Sequence, residues 1–213
     1  MEANWNEWVE KCAALLKSNQ IESRGHRYTR PAPMTYEQQW LWDSCFHAMA
    51  YRWFDLDMAQ DELLSMVVMQ FTDGADRGMI PHMNYWQGGG EALWGWDDRS
   101  IITQPPLIAV AAELVYQRSN DLTFLEKLYQ PLCDYHDWFI RRRDPDGDHL
   151  VSLIHPWEGG CDASPRWDAP MHIPPEPTPE QTKASRHALV KVLIQQDCNA
   201  QTLAESDHFH VEP

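Results

Sequence analysis

Three segments of the chain set aromatic rings beside carboxylates, amides and other short polar groups. The first is Tyr36-Glu37-Gln38-Gln39-Trp40-Leu41-Trp42-Asp43-Ser44-Cys45-Phe46-His47. The second runs Gly78-Met79-Ile80-Pro81-His82-Met83-Asn84-Tyr85-Trp86, then Trp94-Gly95-Trp96-Asp97-Asp98 and Ser100-Ile101-Ile102-Thr103-Gln104-Pro105-Pro106. The third is His155-Pro156-Trp157-Glu158-Gly159-Gly160-Cys161-Asp162-Ala163-Ser164-Pro165-Arg166-Trp167-Asp168. Flat rings edged by polar groups suit a ligand with apolar C–H faces and a rim of hydroxyls, which describes a sugar. The competing reading makes these tryptophans plain core. Core residues belong on helix stripes, however, and most of these fall in loops or at helix starts, where binding residues concentrate.

Each candidate also has a structural alternative. Asp43 can cap its helix and still present a free oxygen to a ligand. Gln104, before Pro105, can tie down its loop, and Arg166 with Glu158 can form an internal ion pair. His208-Phe209-His210 is a weak metal signal, because no acidic or thiol partner stands nearby. No metal and no cofactor is expected. Asp144-Pro145-Asp146-Gly147-Asp148 resembles a calcium loop faintly, but its spacing and the missing distal glutamate favour turn chemistry.

The 213 residues are 43% hydrophobic and 23% charged, a globular composition. The charge sum, 17 − 32 = −15, repels phosphate backbones and argues against a nucleic-acid partner. No run approaches 18 apolar residues, so no membrane span is expected. Met1-Glu2-Ala3-Asn4-Trp5 lacks the basic-then-apolar pattern of a secretory leader. The five cysteines, 12, 45, 133, 161 and 198, are far apart and never paired as C-x-x-C. They read as reduced core thiols of a cytoplasmic protein.

The elements that must hold these segments are helical almost throughout. Trp5, Trp8, Val9, Cys12, Leu15 and Leu16 form one stripe, predicting a helix over 3–19. A second helix is expected from near Asp43, with Phe46, Met49, Ala50 and Trp53 inward. A third covers about 58–71, capped by Asp57, with Leu64, Val67, Val68 and Phe71 inside. Pro105-Pro106 opens a fourth, to about Gln117. Asp121 caps a fifth, 122–143, which Pro131 should kink or divide. A strand-like piece, Leu150–Ile154, follows, and Thr178 caps a last helix to Gln196. The stretches 72–99 and 155–178 are long loops, a length that is usually functional. The fold class is all-α, with long loops on one side.

At this point the residues resemble a family. Gln39-Trp40-Leu41-Trp42-Asp43-Ser44-Cys45-Phe46-His47 resembles the helix-entry motif of the (α/α)6-barrel glycoside hydrolases, which include mannosylglycerate and glucosylglycerate hydrolases, processing α-glucosidase and trehalase. Gly78–His82 and Ser100–Pro106 are similar to the next two loops of that family. Glu158–Trp167 resembles its E-S-G-x-D-x-S-x-R-W loop, with Gly159 in place of the serine and Cys161 at the variable position. Four motifs occur in order, from Tyr36 to Asp168. The resemblance makes Asp162 the general acid of an inverting α-glycosidase. It makes Trp42 and Asp43 sugar contacts, with Tyr36, Trp40, Tyr85, Trp86 and Gln104 around the pocket and Arg166 and Trp167 beside the acid. The chemistry fits the residues: the acid must keep its proton near neutral pH, and a carboxyl group between Trp157 and Trp167 has its pKa raised by desolvation.

The second carboxylate, which activates water, is a glutamate far downstream in that family. Here only Glu176, Glu180, Glu205 and Glu212 follow Asp162, none in a matching motif. About six helices stand where the barrel has twelve. The expectation is that residues 1–213 are the N-terminal portion of one (α/α)6 catalytic domain, a half-toroid that would self-associate or need a complementing C-terminal half. The substrate class implied is a small α-glucoside or α-mannoside, such as a glycosylglycerate or a disaccharide. For an anionic glycerate, Arg24, Arg27, Arg30 or Arg166 would have to overcome the acidic field. Two alternatives stay open: a sugar-binding protein without hydrolysis on a degraded barrel, and an epimerase or lyase that recruits His82 or His155.

Overall fold

Side-chain caps set the starts of three of the seven α-helices in the computed structural model, which describes residues 5–198 and Ala200. Helix α1 is Trp5–Ser18, followed by strands β1 (Gln20–Ser23), β2 (His26–Thr29) and β3 (Gln39–Trp40). Helices α2 (Leu41–Tyr51) and α3 (Leu56–Val67) come next, then strand β4 (Met83–Asn84). The remaining helices are α4 (Glu91–Trp94), α5 (Ile108–Ser119), α6 (Leu122–Arg143) and α7 (Pro179–Gln195). Asp121 caps α6 through Oδ1, which accepts from the amides of Thr123 and Phe124. Thr178 and Gln181 form a reciprocal capping box at α7. The cap of α3 is Asp55, two residues before the expected Asp57, and it accepts from Met58 N.

The fold is helical as the sequence implies, but the buried faces are rotated from those expected. Helix α2 begins at Leu41, so its inward stripe is Leu41, Ser44, Cys45, Ala48 and Tyr51. Phe46 and Trp53 are correspondingly 52% and 63% exposed. Helix α3 buries Met58, Ala59, Glu62, Leu63, Ser65 and Met66, while Val68 is exposed. No residue of α1 is buried, and its stripe of Trp5, Trp8, Val9 and Leu15 faces solvent. Residues 20–29 form an antiparallel hairpin in which Ile21 opposes Tyr28. Helix α6 runs through Pro131 undivided, and residues 150–154 form no strand. Of the five cysteines, all free, only Cys45 and Cys198 are core thiols; Cys12 and Cys161 are exposed.

Among the described residues a small buried cluster of Tyr28, Met69 and Trp86 accompanies two large ones that divide the molecule. One is the helical layer of α2, α3, α5 and α6, centred on Leu41, Met58, Leu63, Ile108, Val115, Phe124, Tyr135 and Trp138. The other joins the long loops to α7, through Met83, Trp94, Ile101, Ile102, Ile154, Trp167, Leu189, Val190 and Leu193. This second cluster is the support for the candidate site. No helix among the described residues is long and apolar enough to cross a membrane. His208, His210, Glu205 and Glu212 lie outside the described residues.

Candidate active site

The three aromatic segments, far apart in sequence, are stitched edge to edge. Strand β3 pairs antiparallel with β4, setting Gln39 opposite Asn84 and Trp40 opposite Met83. Leu41 N donates to His82 O (2.9 Å) and His82 N to Ile102 O (2.8 Å), so 39–42, 82–84 and 100–104 run side by side. Trp42 N donates to Gln104 Oε1 at 3.2 Å. Gln104 is itself buried, so its side chain positions the start of α2.

The third segment closes onto the first through a glycine. Gly160 has φ +64°, and a Cβ there would stand 2.2 Å from the Trp42 ring. Only a residue without a side chain allows this approach, and it places Trp42 against the loop that carries Asp162. Underneath, Glu158 is held on three sides: its Oε1 accepts from Arg143 Nη2 (3.0 Å) and Thr103 N (3.3 Å), its Oε2 from Ile154 N (2.9 Å). Both members of the pair are buried. The expected partner, Arg166, instead lies exposed over the Trp167 ring, 5.5 Å from its centroid. Arg143 prevails because it ends α6 beneath the loop, where Arg143 Nη1 also donates to Cys198 O (2.6 Å).

Asp162 is solvent-accessible, yet desolvation by its surroundings raises its pKa above the ordinary carboxylate value. Arg186 acts in the opposite sense. This arginine of α7, not singled out by any sequence pattern, donates through Nη2 to Asp162 O at 2.6 Å. Asp43, half-buried in the first turn of α2, also has a raised pKa, chiefly from desolvation. The N-cap position there is Trp40, so Asp43 does not serve as the cap.

The other expected site residues separate into two groups. Tyr36 is exposed and meets Trp40 edge-on at 5.5 Å. Trp40, half-buried, meets His82 at 5.2 Å, and His82 meets Trp94 at 5.2 Å and Trp157 at 6.1 Å. Tyr85 is half-buried and its hydroxyl accepts from Trp94 Nε1 (2.9 Å). Trp86 and Trp167, by contrast, are buried structural residues. Trp86 is 1% exposed, donates to Gln39 Oε1 (2.7 Å) and stacks on Tyr28, away from any open surface. Trp167 belongs to the second core cluster.

His82 and His155 are sealed in this aromatic layer, and burial pushes the pKa of each down to about 3. Buried, neutral imidazoles differ from the exposed base that the epimerase or lyase alternative calls for. Arg27, one of the cations considered for an anionic substrate, is committed to Asp61 on α3. A cleft of about 600 Å³ between α5 and α6 contains none of the candidate residues.

A family model described as the mannosylglycerate hydrolase MGH1-like glycoside hydrolase domain matches residues 36–213. The chain is 37% identical over 184 residues to the mannosylglycerate hydrolase of Thermus thermophilus, covering 79% of this chain and 43% of that protein. It is 35% identical to the mannosylglycerate hydrolase MGH1 of Selaginella moellendorffii, over 75% of this chain and 34% of the relative. It is 29% identical to the glucosylglycerate hydrolase of Mycolicibacterium hassiacum, over 82% and 43%. Among solved structures, a GH63 mannosylglycerate hydrolase from Thermus thermophilus in complex with Tris and D-glycerate superposes with a TM-score of 0.80. Identity there is 28%, covering 94% of this chain and 54% of that one. The chain thus spans about half the length of that solved structure and less than half that of these curated relatives.

Proposed function

The chain belongs to the mannosylglycerate hydrolase MGH1-like glycoside hydrolase family, and on that premise we propose that it supplies the acid-bearing part of an inverting hydrolase acting on an α-mannoside or α-glucoside of glycerate. The observation that carries this reading is the contact of Gly160 with Trp42. It brings the Asp162 loop, 120 residues downstream (162 − 42), against the aromatic start of α2. A sugar resting on Trp42 would have Asp43 and Asp162 within the same mouth, flanked by Tyr36, Trp40 and Tyr85.

In this reading Asp162 gives its proton to the leaving glycosidic oxygen. Desolvation favours the protonated acid before reaction, while Arg186 stabilises the carboxylate formed afterwards. Gln104 acts through the Trp42 amide rather than on the sugar, and Arg166, exposed and without a carboxylate partner among the described residues, is the cation offered to a glycerate carboxylate. Glu176 and Glu180 lie in an exposed segment, so the reading assigns the water-activating base to the part of the relatives' fold that this chain does not span. Small-molecule carbohydrate is the partner this implies.

Asp162→Asn, made in a parent protein that also includes the base-bearing part of the fold, tests the assignment. Release of mannose from mannosylglycerate, or of glucose from glucosylglycerate, should fall by about 10²–10⁴-fold, the usual contribution of a general acid. Sugar binding measured by calorimetry should change far less. The rate of the parent protein should also decline as pH rises, because the active form is the protonated one. Undiminished turnover by the variant would defeat the assignment, and binding with no turnover by the parent would favour the sugar-binding alternative.

A further inference from the structure

Between the end of α6 and the Asp162 loop the chain runs Asp144-Pro145-Asp146-Gly147-Asp148-His149-Leu150-Val151-Ser152. Asp144, Asp146 and Asp148 each offer a carboxylate oxygen, and the three oxygens lie within 4.8 Å of one another. Calcium binds oxygen at about 2.3–2.6 Å, so two ligands of one ion stand at most about 5 Å apart. The spacing of the oxygens therefore suits a shared ion.

Asp144 supplies the independent observation. Its side chain is only 7% exposed. Its Oδ2 accepts from His149 N at 3.2 Å, while its Oδ1 is shut off from solvent and has no partner. A desolvated carboxylate oxygen without a donor is unfavourable unless a cation completes it. Among the described residues no lysine or arginine pairs with any of the three aspartates; the nearest positive candidate is His149, whose Nδ1 is 3.8 Å from Asp144 Oδ2.

The backbone agrees. Counted from Asp144, the aspartates occupy positions one, three and five of a calcium loop, Leu150 offers the seventh-position carbonyl and Ser152 the ninth-position hydroxyl. The sixth position, glycine in such loops, is His149 with φ +67°, and Gly147 has φ +72°. The twelfth position is His155 rather than glutamate, and its ring is engaged with Trp157 N and Arg186 O. The missing distal glutamate still distinguishes this turn from a full calcium loop, but the spacing objection raised by the sequence falls.

We propose that the loop from Asp144 to Ser152 binds one calcium ion through Asp144, Asp146 and Asp148. Without the bidentate distal carboxylate the affinity belongs at the weak end, on the order of 10⁻⁴–10⁻³ M. The bound ion fastens the end of α6 to the strap leading to Asp162, where Ser152 N already donates to Arg143 O at 2.7 Å.

The test uses the chain stripped with EDTA and dialysed. Calorimetric titration with CaCl2 should show one saturable site, and about 10 mM CaCl2 should raise Tm by a few degrees over NaCl of equal ionic strength. Asp144→Asn risks the fold because the side chain is buried, so the informative variant is Asp146→Asn with Asp148→Asn, both exposed. It should lose the heat and the calcium-dependent rise in Tm, while its Tm in EDTA stays at or above that of the parent. Absence of saturable heat in the parent, or its persistence in the double variant, would overturn the site. An equal response to MgCl2 would overturn calcium as the ion, since magnesium demands octahedral geometry that three carboxylates and a carbonyl on one turn do not present.

Discussion

Glu62 and Glu158 are both buried carboxyl groups near the candidate site, and they are held in opposite ways. Glu158, beneath the Asp162 loop, faces a buried guanidinium and two backbone amides. Glu62, on α3 behind strand β3, meets no arginine or lysine among the described residues. Its Oε2 accepts from Ser44 Oγ at 2.8 Å, and its Oε1 stands 3.8 Å from His47 Nδ1, too far for a hydrogen bond. Burial raises the pKa of Glu62 to about 8, against the effect of hydrogen bonds from Thr29 and Ser44, and lowers that of His47 to about 4. At neutral pH the Glu62 region is therefore an uncharged network. Gln39 Nε2 donates there to Ser65 Oγ (2.8 Å) and Ser44 Oγ (3.1 Å), and Gln39 Oε1 receives Trp86. The same residue type thus solves burial by pairing on one side of the site and by keeping its proton on the other.

The sharpest way to break this comparison is Arg143→Met, which strands the Glu158 charge. Removing one member of a buried pair costs about 3–5 kcal/mol, so urea denaturation should show a loss of that size. Adding Glu158→Leu should restore most of it; a double variant as unstable as the single one would mean that the pair is not what holds the loop. Next in size is Gly160→Ala. The left-handed φ and the collision with Trp42 together should cost about 3 kcal/mol in thermal denaturation and displace the Trp42 ring, read as a change in tryptophan fluorescence. The Glu62 network should not respond to it.

The smallest effect tests the uncharged side. A carboxyl group whose folded pKa lies above its unfolded value binds an extra proton in the folded state, so stability falls as pH rises from about 4.5 toward about 8. Below pH 6.5 the buried, neutral histidines 47, 82 and 155 act in the other sense, losing stability as pH falls. The clean window is pH 6.5 to 8, where Glu62 should lower stability by about 1.4 kcal/mol per pH unit, roughly 2 kcal/mol in all. Glu62→Gln should flatten that slope, as measured by urea denaturation across the window. An unchanged slope would place the titration elsewhere.

Legibility in the sequence varies from residue to residue. The caps Asp121 and Thr178 were legible because a cap is a bond to an amide two or three residues away. The helix starts at Leu41 and Leu56 were misplaced by about two residues, which turned Phe46, Trp53 and Val68 from core into surface. Trp86 and Trp167 looked like sugar platforms because ring type and loop position are all that a sequence displays; their neighbours Tyr28 and Leu189 come from distant segments. Arg186 and the Arg143–Glu158 pair carried no local signal at all.

By itself, the sequence determined the helical class, the order of three aromatic segments, the acidic balance and the single aspartate between Trp157 and Trp167. These are properties of residue type and short-range periodicity, in which every interacting group lies within a few residues of its partner. Only the tertiary structure decided which rings are exposed and which buried, which arginine neutralises Glu158, and that Gly160 lies against the Trp42 ring. Those choices depend on packing between segments tens of residues apart, where burial sets the charge state of each group and steric fit selects its neighbour.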